Sequence, residues 1–273
     1  MAKGIAVIAA VTEFPARISL DLPELKLPEK NAQRFAGLIQ SARYGYQVAQ
    51  PLLLGSMATI GAWKKAVKDA VAGLQQDDVL LLFFSGHGYQ ASEVDLCPDG
   101  GTNEYWCFFT EKLLDNEIGA VLESIPSGLR VFVVADCCYA TGTYWIFRYG
   151  MERKLVEVDS MLDAKLRKVT RDVRGTVAQA SAFENQDDEA KCPRPSARIL
   201  FMAACDEREQ GKDGLFMESL LHVMETEPPT TTFETAFKRV CDLVSRENST
   251  QTPRRFRLGQ KNPSLLDAPA FKI

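Results

Sequence analysis

The chain predicts an α/β fold, a mostly parallel sheet covered by helices on both faces. Three observations lead there. First, Val79 to Phe84 and Val131 to Ala135 are unbroken apolar runs of strand length, as expected of strands buried on both faces. Second, such runs alternate with longer stretches of 3.6-residue periodicity, the order that builds a parallel sheet through crossover helices. Third, both runs stop abruptly at small and polar residues, Ser85-Gly86-His87-Gly88 and Asp136-Cys137-Cys138. Ligands of open α/β sheets sit just beyond the carboxyl ends of such strands.

In order, Gly4 to Val11 reads as a strand, Pro28 to Arg43 as an amphipathic helix and Gln47 to Leu54 as a strand. Met57 to Leu74 reads as a helix carrying Ile60, Trp63, Val67 and Val71 on one face. Asp78 to Phe84 follows as a strand, Glu111 to Ile125 as a helix and Leu129 to Ala135 as a strand. A charged helical run, Glu152 to Val173, and a polar, proline-containing stretch after it form an inserted linker at about 143–197. Arg198 to Cys205 is another strand. Helices over Gly214 to Glu225 and Thr232 to Glu247 and a short strand near Arg255 to Leu258 complete the pattern. A chain of 273 residues accommodates all of this in one domain, 1–273.

A net charge of -4 and a pI of about 5.4 give no footing for nucleic acid or an anionic membrane surface. No apolar run approaches the roughly 20 residues that span a bilayer. The opening MAKGIAVIAAVTEF, with one Lys ahead of its apolar core and no clear cleavage site, reads as a first strand rather than a leader. Seven cysteines, an odd number in a chain large enough to need no staples, point to free thiols in a reducing cytoplasm. None has the CxxC spacing of a zinc site.

The chemistry gathers at the two strand ends. A lone Cys there is ordinarily a small buried hydrophobe, and a lone His is ordinarily structural. The chain has two histidines: His222 sits in an apolar helical run, SLLHVM, whereas His87 lies between glycines at a strand end. If the two strands are neighbours, an imidazole and a thiol share one sheet edge, the arrangement of a cysteine hydrolase. Cys137 and Cys138 compete for the thiol's role. Adjacent residues of an extended strand face opposite ways, so only one of them can meet His87.

Here the motifs reach a family. FFSGHGYQ resembles the YSGHG block of caspase-like cysteine peptidases, and ADCCYATG resembles the DSCHSG block of metacaspases and their bacterial relatives. DGGTNEYWC, LLDNEI, ILFMAAC, GLFMESLL and STQTPRRFRLGQKNPSLL look like further blocks of a bacterial caspase-family sequence, in order and across most of the chain. The gap from His87 to Cys138 is also close to the roughly 50 residues of caspases. The resemblance implies a caspase-like three-layer sandwich. It also implies a cysteine endopeptidase with Cys138 as nucleophile, His87 as base and a protein or peptide as substrate.

The backbone N–H groups of Gly88 and Cys138 are the expected oxyanion donors. Metacaspases bind Arg or Lys ahead of the cut bond through acids, and Asp136 matches the first of these. AACDERE resembles their GCxDxQ stretch and makes Glu207, or its neighbour Asp206, the second acid; Ser85 joins them as substrate-binding. Asn31 stands where the AENDA block has its Asp, and Tyr139 and Ala140 replace the His and Ser of DSCHSG. No cofactor is required. The acidic stretch with Asp95, Asp99, Asn103 and Glu104 falls short of a hard-cation cage and leaves a calcium requirement open. Basic residues between 143 and 197 offer sites for autoprocessing, as in the exposed linker of the family. The departures at Asn31 and Tyr139 keep a second reading in play, a catalytically silent caspase fold that binds a partner; a non-peptidase cysteine hydrolase is a third. Oligomeric state is not legible.

Overall fold

The computed structural model describes residues 2–15, 22–90, 104–140, 195–206, 209–259 and 264–273. The expected helix over 152–173, nearly all of the 143–197 segment, and Cys97 and Cys192 lie outside the described residues.

The strands are β1 (Gly4–Ala10), β2 (Gln47–Val48), β3 (Leu53–Leu54), β4 (Val79–Ser85), β5 (Gly88–Gln90), β6 (Glu104–Cys107), β7 (Lys112–Leu114), β8 (Arg130–Asp136), β9 (Arg198–Ala203) and β10 (Arg254–Gly259). The main sheet runs β10-β9-β8-β4-β1-β2, with β3 also paired to β1. Every pairing in it is parallel except that of β10 with β9. The mostly parallel sheet expected from the apolar runs is therefore present, and the two chemistry-bearing strands, β4 and β8, are immediate neighbours.

Alternation along these strands divides the core. Leu81, Phe83, Phe132 and Val134 face one side, where they meet α1 (Pro28–Gln40), α4 (Leu215–Thr226) and α5 (Phe233–Glu247). Leu80, Leu82, Phe84, Val131, Val133 and Ala135 face the other, against α2 (Ile60–Ala72) and α3 (Asp115–Glu123). This is the three-layer sandwich. All seven residues of β4 are buried, and its aromatic and aliphatic side chains contribute about 1.5–3 kcal/mol each.

Three stretches depart from the sequence pattern. Gln47 to Leu54 is two short strands rather than one, because Pro51 between them has no N–H to give a ladder. Met57 to Leu74 opens at the end of a single 3-10 turn, Gly55–Met57, and α2 itself starts only at Ile60 behind Thr59, whose side chain accepts the Ala62 N–H at 3.2 Å. Glu111 to Ile125 opens with β7, and α3 starts only at Asp115, because β6 supplies an antiparallel partner for Lys112–Leu114. The small sheet β5-β6-β7 was not legible as strands. It begins at Gly88, and the Cys107 N–H donates to the His87 carbonyl at 2.9 Å, so it holds the histidine's backbone in place.

Candidate active site

The site is the shared carboxyl edge of β4 and β8. The register pairs Ser85 with Asp136, Ser85 Oγ donates to Asp136 Oδ2 at 2.8 Å, and the Gly86 N–H donates to the Asp136 carbonyl at 3.2 Å. Ser85 and Asp136 continue the column of Phe83 and Val134, so they stand on the α1/α4 face. Cys137 continues the column of Ala135 on the opposite face.

The two thiols follow in the bend and turn beyond β8, one buried and one not. Cys137 is 4% exposed within the core cluster of Trp106, Phe84 and Ala135, and burial pushes its thiol well above the usual range. Cys138 is partly exposed. Its sulfur accepts the Gly211 N–H at 3.3 Å. The neighbouring Cys205 thiol, with this backbone donor helping, outweighs burial and brings Cys138 down to about 7. The next residue, Tyr139, sits at φ +56, a left-handed conformation that non-glycine residues adopt where the surrounding structure imposes it.

Gly88 brings the imidazole strand against this turn. A Cβ on Gly88 would stand 1.7 Å from the Cys138 carbonyl oxygen, so the two backbones touch and only glycine fits. His87 is 7% exposed. Its Nε2 lies 2.8 Å from the Pro23 carbonyl. A carbonyl can only accept, so the proton is assigned to Nε2 and Nδ1 is left as the basic nitrogen. Phe14 packs on the ring at 5.4 Å. Burial lowers the imidazole below its ordinary value against the opposing pull of Pro23 and Asp213. His87 and Cys138 make no direct hydrogen bond.

The acids sort differently from the sequence expectation. Asp136 is in place, and burial, opposed by the Ser85 hydrogen bond, pushes its carboxyl up to about 7, with Asp213 and Glu218 adding to the rise. Asp206 instead forms an ion pair with Arg254 of β10, which donates to one carboxylate oxygen from Nε at 3.0 Å and Nη2 at 2.8 Å. The antiparallel β10 sets Arg254 opposite Ala203, which brings it to Asp206 at the sheet's rim. Glu207 lies outside the described residues. Asn31, 2% exposed in the first turn of α1, has its amide nitrogen buried without a hydrogen-bond partner.

Sequence reasoning missed Asp213. Its Oδ2 accepts the Lys26 N–H at 2.7 Å while Oδ1 is buried with no partner, and its charge reaches both His87 and Asp136. Gly214, at φ +68, seats it: a Cβ there would fall 2.4 Å from Leu27 Cδ1 and 3.0 Å from Asn31 Nδ2. Two further residues hold the loop that carries Gly211. Gln251, 2% exposed, donates to the Ala204 carbonyl at 3.0 Å and accepts the Lys212 N–H at 2.9 Å. Glu209 accepts from Thr252 N–H and Oγ1 at 2.6 and 2.8 Å. Both lie inside motif blocks quoted above, but nothing in the blocks shows what they clamp.

Of the residues named for calcium, Asp95, Asp99 and Asn103 lie outside the described residues. Glu104 is buried on β6 and accepts from Gln90 at 3.3 Å. Among the described residues no group of three or more His, Cys, Asp or Glu side chains could hold a metal ion. No helix among them is long and apolar enough to cross a membrane, and His222 is an exposed residue of α4.

A sandwich of this topology, with a thiol and an imidazole at adjoining strand ends, has the layout of the caspase-like peptidases. The family model of the caspase domain, peptidase family C14, matches residues 3–262, and the chain belongs to that family. Its members are cysteine peptidases, with proteins as substrates. The fold is similar to the crystal structure of protein GSU0716 from Geobacter sulfurreducens, with a TM-score of 0.68 and 25% sequence identity over 99% of each chain. No curated protein matches the sequence.

Proposed function

We propose that this chain is an active cysteine endopeptidase in which Cys138 attacks the scissile carbonyl, His87 manages the protons, and cleavage follows Arg or Lys. The observation that carries the reading is the contrast between neighbouring thiols. Cys138 is partly exposed and held at about 7, whereas Cys137 is sealed in the core. At neutral pH a large fraction of Cys138 is already thiolate, against a few per cent for a free cysteine.

The steps follow from these groups. The thiolate adds to the substrate carbonyl, and the oxygen turns anionic. The N–H groups of Gly88 and Cys138 are its donors, each worth about 3 kcal/mol in the transition state. His87 is neutral at neutral pH and fixed through Nε2, so Nδ1 takes a proton, from the Cys138 thiol or, where Cys138 is already thiolate, from solvent, and passes it to the departing amine. Water, with His87 again as base, then releases the acyl group. No step needs a cofactor.

Asp136 and Asp213 are the acids proposed for the substrate's basic side chain. The Asp213 carboxylate adds to the rise of Asp136, and an arriving guanidinium or ammonium would favour the charged form of Asp136. Ser85 orients Asp136. Autoprocessing between 143 and 197 belongs to the same proposal, and pure active protein that stays a single band on incubation argues against it.

The test is cleavage of fluorogenic peptides ending in Arg, Lys or Asp by the wild type and by Cys138→Ala, with and without calcium. Release after Arg or Lys that vanishes in the variant supports the reading. Release after Asp overturns the acidic pocket but keeps the peptidase. Silence in every condition favours a binding role for the fold.

A further inference from the structure

We infer that the site prefers Lys to Arg ahead of the cut bond, because Asp136, Asp213 and Asn31 each offer a substrate cation one acceptor oxygen and neither carboxylate is left whole. The selectivity refines the proposed cleavage after a basic residue and rests on that reading of the pocket.

Three elements meet here. Asp136 ends β8, Asn31 lies in the first turn of α1, and Asp213 stands just ahead of α4. The Gly211 N–H donates to the Cys138 sulfur at 3.3 Å. Asp213 is two residues beyond one partner of that bond and Asp136 two residues before the other, so the backbone of each acid is within about 7 Å of the residue that makes it. Asn31 closes the pocket from α1: its Nδ2 lies 3.0 Å from where a Cβ on Gly214 would stand. Gln251 holds the loop from 211 to 213 in place, accepting the Lys212 N–H at 2.9 Å and donating to the Ala204 carbonyl at 3.0 Å.

The oxygens can be assigned singly. Asp136 Oδ2 accepts from Ser85 Oγ at 2.8 Å, which leaves Oδ1 for a ligand. Asp213 Oδ2 accepts the Lys26 N–H at 2.7 Å, and Oδ1 is buried with no partner. Asn31 is 2% exposed and its Nδ2 is buried without a partner. Its amide carries a single oxygen, and turned over it presents that oxygen where Nδ2 now stands. Buried polar atoms left open in this way are costly until a ligand completes them. Glu218, one turn into α4, is exposed, so its carboxylate stays in solvent.

The two basic side chains meet such a pocket differently. A guanidinium gains most from both oxygens of one carboxylate, through two parallel N–H···O bonds. Neither Asp136 nor Asp213 has both to give. An ammonium is a compact charge with three rotatable donors, and single oxygens on separate side chains suit it. An acid in place of Asn31, or the loss of the Ser85 hydroxyl, would restore a whole carboxylate and with it a seat for Arg.

The experiment compares kcat/KM for two fluorogenic peptides that differ only in Lys or Arg before the cut bond, in wild type, Asn31→Asp and Ser85→Ala. The affinities of the same two peptides for Cys138→Ala are measured alongside by titration calorimetry. Wild type should favour Lys by about fivefold or more, and each of the two pocket variants should lower the Lys-to-Arg ratio by about threefold or more. A merely structural loss slows both peptides alike and leaves the ratio unmoved. A wild-type Lys preference that falls in either variant supports the proposal. Wild type that cleaves the Arg peptide as well or better, or a ratio unchanged in every variant that folds, overturns it; should Asn31→Asp fail to fold, Ser85→Ala decides alone. Where wild type cleaves neither peptide, the calorimetry decides. Tighter binding of the Lys peptide to Cys138→Ala would then count against the peptidase and leave the pocket standing, whereas tighter binding of the Arg peptide, or none of either, overturns the proposal.

Discussion

The two faces of the central sheet are alike until their last residue or two. On the α2/α3 face the apolar column runs to the end, through Phe84, Ala135 and Cys137, and Phe84 stacks on Trp106 at 4.9 Å. On the α1/α4 face the equivalent column, Phe83 and Val134, gives way to Ser85 and Asp136 at the rim. The same strands therefore end in a dry core on one side and in polar chemistry on the other. A two-residue period sets the two columns, and the turn that follows β8 buries one cysteine as an inert hydrophobe and leaves the next partly exposed with a lowered thiol.

The sharpest way to break the comparison is to remove each thiol in turn. Cys138→Ala should abolish peptide cleavage, by about 10³-fold or more in kcat/KM. Cys137→Ala should stay within a few fold and lose about 1 kcal/mol of stability, read by denaturant unfolding. Comparable losses from both would mean that the faces are not chemically distinct.

Gly88→Ala comes next. The 1.7 Å approach to the Cys138 carbonyl leaves no room for a methyl group, so the β4–β5 turn must move away from the nucleophile. Cleavage should drop by about 100-fold even where the melting temperature shows the core intact, since an ångström of misplacement suffices for that.

Asp136 tests the polar rim from both directions. Its folded-state value is raised to about 7, against about 3.9 in an unfolded chain. A raised value contributes stability below about 3.9 that is lost as pH climbs through 7. Asp136→Asn should therefore gain on the order of 2 kcal/mol over wild type at pH 8 and little at pH 4, while cleavage after Arg falls by about tenfold or more. Wild-type kcat/KM should decline as pH falls below about 7, where Cys138 and Asp136 both take up protons. An acid limb that sits at pH 5 instead would separate the rate from these groups.

The smaller effects concern the acids. Asp213→Asn should cost about five- to tenfold, mainly in KM, for peptides with Arg or Lys before the cut. Asp206→Asn should change cleavage by less than about threefold, because its partner is Arg254 rather than substrate. The reverse ranking would return the pocket to the loop after β9.

The fold class, the order of the main strands and helices, and the placing of His87 and two cysteines just beyond the ends of neighbouring strands were legible in the chain itself. Long apolar runs declare buried strands without reference to anything else, and the motifs lie at strand ends where local pattern and chemistry coincide. The resemblance pointed to Cys138, while strand alternation alone only said that one of the two cysteines must turn away. Which one was decided when β4 and β8 paired, since that pairing set Ser85 beside Asp136 and put Cys137 into the aromatic core. The small sheet at Gly88, the anchoring of His87 by Pro23, the retirement of Asp206 to Arg254, and the arrival of Asp213 and Cys205 all join residues distant along the chain. A sequence states local propensity and period. Which remote group ends up beside a thiol depends on how layers close on each other, and only the tertiary structure decides that.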